Sequence, residues 1–163
     1  MCWASFDDRR EYRFTLGRSW EPGLPRCAFI MLNPSTADEN VLDPTVRRCL
    51  RYAQAWGFGS LEVGNLFALR STDPKVLSSH ADPVGPANDQ ALLGIRGRAA
   101  TVVAAWGNGG LLRNRGREVA RMLGSRGELW CLGLTKLGEP RHPLYISRST
   151  PLQPWIVSEV RLI

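Results

Sequence analysis

The chain has 163 residues, 44% hydrophobic and 22% charged, with a formal net charge of +6, which suits one globular domain over 1–163 that buries its core without staples. No apolar run approaches the roughly 20 residues that cross a bilayer, and Met1-Cys-Trp-Ala-Ser-Phe-Asp-Asp carries charge too early for a secretory leader, so a cytoplasmic protein with no membrane partner is expected. The 4 cysteines are scattered with no Cys-x-x-Cys pair, and His80 and His142 are the 2 histidines; this lacks the spacing of zinc and iron–sulfur sites, so reduced, mostly buried thiols and no metal or other cofactor are expected.

Tyr12 to Leu16 reads as an opening strand, with Gly17-Arg-Ser as a turn and Glu21 to Pro25 as a loop. Ala28 to Leu32 is a continuous apolar run, as in a strand buried on both faces of a parallel sheet. Pro34 stops it, and Ser35 with Asp38 has capping-box spacing for a following helical turn. Asp43-Pro44 starts a helix, the acid as N-cap. Val46, Cys49, Leu50, Ala53 and Trp56 form its packing stripe, Arg47, Arg48 and Arg51 lie off it, and Gly57 closes it.

Leu61 to Phe67 is a second strand, running into Ala68 to Pro74. Lys75 to Pro86 reads as a long surface loop, Asn88 as the cap of a helix through about Ala99, and Thr101 to Trp106 as a third apolar strand ending in Gly107-Asn-Gly-Gly110. A basic helix is expected from Arg113 to Leu123, packing through Val119, Met122 and Leu123, then a strand from Glu128 to Leu132. Gly133 to Tyr145 is a polar, loop-like stretch.

Strands alternating with helices imply an α/β fold with a mostly parallel central sheet, whose carboxyl ends share one edge. Four stretches meet there: Asn33-Pro34-Ser35; Asn65 with Phe67 and Arg70; Trp106-Gly107-Asn108; and Lys136 through Arg141, His142 and Pro143. Ligands of open α/β sheets bind in the crevice at that edge. The set holds no paired carboxylates, P-loop, nucleophile elbow or dinucleotide fingerprint, which argues against hydride transfer and kinase chemistry. Asparagine amides offer a donor and an acceptor suited to the edge of a base, Phe67 a stacking face, and His142 a donor to an anionic leaving group. The net charge permits DNA or RNA as partner, but the basic residues are spread along the chain, so a functional basic face and a solvated one both stay open.

Met31-Leu-Asn-Pro-Ser-Thr-Ala-Asp38, Asp43-Pro-Thr-x-Arg47, Gly64-Asn-Leu-Phe-Ala-x-Arg70, Val102-Val-x-x-Trp-Gly107 and Leu134-Thr-Lys-x-Gly-x-Pro-x-His-Pro-Leu-Tyr145 together resemble a widespread bacterial family catalogued as a domain of unknown function. More remotely, Asn33-Pro34, Asn65, Trp106-Gly107 and His142-Pro143 are similar in order to the motifs of the uracil-DNA glycosylase superfamily, although Met31 stands where a glycine is usual. That resemblance implies a three-layer α/β/α sandwich and hydrolysis of the N-glycosidic bond of a modified or damaged base. It assigns Asn33 to the water, His142 to the leaving oxygen, and Asn65, Phe67, Met31 and Leu32 to the base. Ser35, Arg70, Asn108, Lys136 and Arg141 would follow the nucleic-acid backbone. A non-catalytic nucleotide- or nucleic-acid-binding module, or an enzyme of a small metabolite, are the alternatives.

Overall fold

The computed structural model describes residues 1–156, so the last seven positions of the expected 1–163 domain, 157–163, lie outside the described residues. The strands β1 (Cys2–Phe6), β2 (Arg13–Ser19), β3 (Arg26–Met31), β4 (Ser60–Asn65), β5 (Thr101–Ala104), β6 (Leu129–Cys131) and β7 (Gln153–Pro154) form one 7-stranded sheet in the order β1-β2-β4-β3-β5-β6-β7. The inner run β4-β3-β5-β6 is parallel, and β1, β2 and β7 attach antiparallel at its flanks. The expected mixed α/β architecture with a parallel centre is therefore present, with antiparallel strands on both margins.

Alternation along the inner strands divides the core. Ala28, Ile30, Val102 and Ala104 pack with Leu92 and Ile95 of α3 (Asn88–Arg98) and Val119, Ala120 and Leu123 of α4 (Arg115–Gly124). Cys27, Phe29, Met31, Val103 and Ala105 pack with Val46, Cys49, Tyr52 and Ala53 of α1 (Pro44–Ala55). Helices thus cover both faces. The loops leaving β3 and β5 lead to α1 and α4 on opposite faces, and a crevice opens where neighbouring loops diverge in this way. Among the described residues no helix is long and apolar enough to cross a membrane.

Several local readings need correction. Gly17 lies inside β2, not in a turn: the Trp3 ring of β1 fills the space where its Cβ would be, at 2.0 Å, so the glycine lets the two strands close. Ser35 and Asp38 form no helical turn; the Asp38 carboxylate accepts from Asn40 N and Val41 N, which folds the loop back instead. A short helix α2 (Val76–Ser79) interrupts the expected loop. Asn88 does not cap α3; its Nδ2 donates to Asn65 O and Leu66 O at 2.9 and 3.1 Å and ties the helix start to the end of β4. The helix expected from Arg113 begins at Arg115, after 3-10 turns over 107–114 with positive φ at Arg113 and Asn114. By contrast Asp43 does cap α1, accepting from Val46 N at 2.8 Å, and Gly57 beyond the helix end has φ +83°.

One ion-pair cluster binds the opposite end of the inner sheet. Glu62, with its side chain 1% exposed, accepts from Arg26 at 2.7 Å and from Arg98 at 2.6 Å, whose side chains are 27% and 49% exposed. The buried partner is the acid, so the two ways of breaking the cluster differ. Glu62→Gln lets both guanidiniums rehydrate and costs about 1 kcal/mol. Replacing both Arg26 and Arg98 by Met strands a buried carboxylate and costs about 3 kcal/mol. Denaturant titration of the two variants decides it, and equal losses would contradict the assignment.

Candidate functional site

At the carboxyl edge of the parallel strands lies a cleft of about 260 Å³ lined by Arg13, Met31, Leu32, Asn33, Ser35, Asp43, Thr45, Val46, Asn65, Pro74, Trp106 and His142. Six of the expected site residues, Met31, Leu32, Asn33, Ser35, Asn65 and His142, are gathered in it. The volume sits just below the roughly 300–1,000 Å³ usual for small-molecule pockets and suits a single ring system.

The cleft exists because the loops satisfy one another. Leu66 N and Phe67 N donate to Met31 O and Leu32 O, continuing the β3–β4 pairing past both strand ends. Asn33 Nδ2 donates to Ser71 O at 3.0 Å, with longer bonds to Pro34 O and Leu69 O, and so clamps the loop after β3 to the loop after β4. This commits the amide N–H₂ to structure and leaves Oδ1 as the polar atom Asn33 can offer a ligand.

The late loop is built as a support for His142. Gly138, at φ +81°, turns it so that Gly138 N reaches Thr135 O and Thr135 N reaches Glu139 O. Thr135 Oγ1 donates to Asn108 Oδ1, Trp106 Nε1 donates to Glu139 Oε2 at 2.8 Å, and Gly107 N donates to Pro140 O at 2.7 Å. These bonds fix the loop against the end of β5. His142 Nδ1 accepts from Leu144 N at 3.2 Å, which leaves Nε2 as the donor of the neutral ring. Burial lowers the His142 pKa below the usual 6.5, against an opposing pull from Asp43.

The most telling residue is Asn65. It ends β4 and is 1% exposed, and neither Oδ1 nor Nδ2 has a hydrogen-bond partner among the described residues. A buried amide with both ends orphaned is costly unless something fills it. Asn65 is one of the residues lining the cleft, and its unused donor and acceptor are both buried at that wall.

The remaining expectations separate from this cleft. Phe67 is corrected outright: it is fully buried in the core beside α3 and α4 and has no face free for stacking. Its backbone stays paired with the loop after β3, which holds the ring inside. Arg70 donates to Arg10 O and lies over the Phe6 ring, outside the cleft lining. Asn108 is tied to Thr135, Arg141 Nε donates to Leu134 O, and Lys136 is exposed on the same loop. None of the three lines the cleft.

Sequence reasoning placed Trp106 at this edge, missed Arg13, Thr45, Val46 and Pro74 as cleft residues, and took Asp43 as a cap alone. Arg13 starts β2, which runs antiparallel to β4, so its first residue arrives at the edge where β4 ends. Arg13 is 1% exposed, donates from Nη1 to Ala37 O at 2.8 Å, and leaves Nε unpartnered among the described residues. The signal available was the antiparallel return itself.

A family model described as "Protein of unknown function (DUF1643)" matches residues 13–144, a span that contains every residue lining the cleft. No curated protein and no solved structure matches the chain.

The orphaned amide makes a prediction independent of any activity. Asn65→Leu removes two unsatisfied buried polar atoms and raises the unfolding free energy by about 1–2 kcal/mol. A thermal or denaturant midpoint that falls instead would mean that Asn65 holds the fold together.

Proposed function

The chain belongs to the family described as "Protein of unknown function (DUF1643)", a membership that carries no activity, and from the cleft itself we propose that the protein is a uracil-DNA glycosylase-like enzyme hydrolysing the N-glycosidic bond of a modified or damaged base in nucleic acid. The observation that carries this reading is the buried, doubly unpartnered Asn65 amide in a base-sized cleft that also holds His142. The parallel order β4-β3-β5-β6 with helices on both faces supports a three-layer α/β/α sandwich of glycosylase type.

In this mechanism Asn65 reads the base edge through one donated and one accepted bond. Met31 and Leu32 hold the ring. The C1′–N bond breaks with its electron pair passing to the base, and His142 Nε2–H donates to the oxygen on which that charge gathers. Water attacks C1′ from a position held by Asn33 Oδ1, and its proton passes to the Asp43 carboxylate, which supplies the base that an amide cannot. A duplex substrate has its target base turned out of the stack. Ser35, on the cleft rim, contacts the backbone, and Arg70, Lys136 and Arg141 extend that contact over the loops.

The test is incubation with oligonucleotides carrying uracil, hypoxanthine or xanthine, followed by alkali, which cuts wherever a base has been released. His142→Ala reduces release about 10²–10³-fold with folding intact. Salt-sensitive binding without cleavage would favour a binding module, and neither binding nor cleavage would leave the metabolite reading. The pH profile gives a second check. His142 acts as the neutral ring, and a proton on Nδ1 would oppose the Leu144 N–H. Release is therefore constant through neutrality and falls only below the ordinary histidine value of 6.5. Stability follows the same sign: a lowered folded pKa means the contribution is present above 6.5 and lost as pH falls through the folded value. A profile that rises on acidification would contradict the role.

A further inference from the structure

We propose that Arg13 makes the cleft selective for a heterocycle in its anionic form, its guanidinium facing an oxyanion of the bound base. This rests on the base-binding reading above and adds the ionisation state of the ligand to it.

The buried arginines among the described residues are Arg13, Arg18 and Arg115; Arg18, 9% exposed, has no ion pair but divides its guanidinium between Gly17 O and Asp38 O. Arg115, 2% exposed, is paired with Asp89 at 2.6 Å and Glu118 at 3.4 Å and donates to Leu66 O. Arg26 and Arg98 share Glu62. Arg13, the most deeply buried of them, forms no ion pair within 4.0 Å among the described residues, and its guanidinium makes one hydrogen bond, to Ala37 O. Burial lowers its pKa to about 10, which still leaves it cationic at neutral pH. The charged groups around it do not cancel it: Asp43 and Asp38 attract, Arg70 and Arg18 repel, and across the cleft His142 is neutral above its lowered pKa. A buried cation without a counter-ion is unfavourable unless a ligand brings one.

Asn65 and Arg13 line the same cleft with complementary demands. The amide accepts one hydrogen and donates another, as a lactam edge requires, where C=O stands beside N–H. The guanidinium only donates and carries charge. Together they fit an oxo-heterocycle that bears negative charge on oxygen, and they disfavour amino-substituted rings such as adenine. A phosphate offers the same anionic oxygen, but the cleft holds about 260 Å³, room for the ring and not for a sugar phosphate beside it.

The probe is free xanthine, which ionises between neutral and mildly alkaline pH, a range in which His142 is already neutral and Arg13 still charged. Titration calorimetry with the full chain will show xanthine affinity rising about tenfold across that range, while affinity for hypoxanthine, which stays neutral, does not change. Arg13→Lys keeps the rise and Arg13→Gln abolishes it. Xanthine binding that stays level, or a rise that survives Arg13→Gln, overturns the proposal while leaving base binding intact. Arg13-dependent displacement of xanthine by inorganic phosphate would overturn it in favour of a phosphate site. If no base binds at all, the glycosylase reading fails and takes this with it. Should Arg13→Gln not fold, the contrast between xanthine and hypoxanthine in the unaltered protein still decides the matter.

Discussion

Where parallel strands end, their last N–H and C=O groups lose the ladder and must find partners elsewhere. In this protein the loops satisfy one another: the loop after β4 donates to the loop after β3 through Leu66 N and Phe67 N, Asn33 Nδ2 closes the same junction, and Gly107 N reaches Pro140 O in the late loop. Met31, Leu32, Asn33 and Asn65, which line the cleft, lie at or beside this pairing.

Against that thorough satisfaction, two groups stand out. Asn65 has both amide ends idle, and Arg13 has a buried charge with one carbonyl for company. Elsewhere Arg115 has two acids, and the buried Asn88 turns its Nδ2 onto Asn65 O and Leu66 O while its Oδ1 stays unpaired. Unpaired polar groups inside a protein cost stability; of the seven buried side-chain atoms without a partner among the described residues, three belong to Asn65 and Arg13 in the cleft, and only Asn65 has two. Asn65 and Asn88, 23 residues apart and joined by a hydrogen bond, thus differ at the amide nitrogen, which Asn88 uses and Asn65 does not.

Much of this was legible from residue order. Continuous apolar runs gave β3 and β5, the stretch from Leu61 to Phe67 gave β4, and the shared carboxyl edge of a parallel sheet brought Asn33, Asn65 and His142 together across more than a hundred positions. What escaped depended on partners far along the chain. Gly17 resembles a turn residue until the Trp3 ring occupies its missing Cβ. Phe67 resembles a platform until the loop pairing turns it into the core. Arg13 belongs to an antiparallel margin, and reasoning from parallel strand ends alone passes over a strand that delivers its first residue to that edge. Asp43 was visible as a helix cap, and the helix start at the cleft gives the same carboxylate a second exposure to the ligand space.

The central claim is that the Asn65 amide is the base reader, and a crystal of the protein soaked with xanthine or uracil tests it most directly. The account predicts a ring in the cleft with Asn65 Oδ1 and Nδ2 both within hydrogen-bond distance of adjacent atoms on its edge. A ring bound elsewhere, or one in the cleft with the Asn65 amide still unpaired, would contradict it.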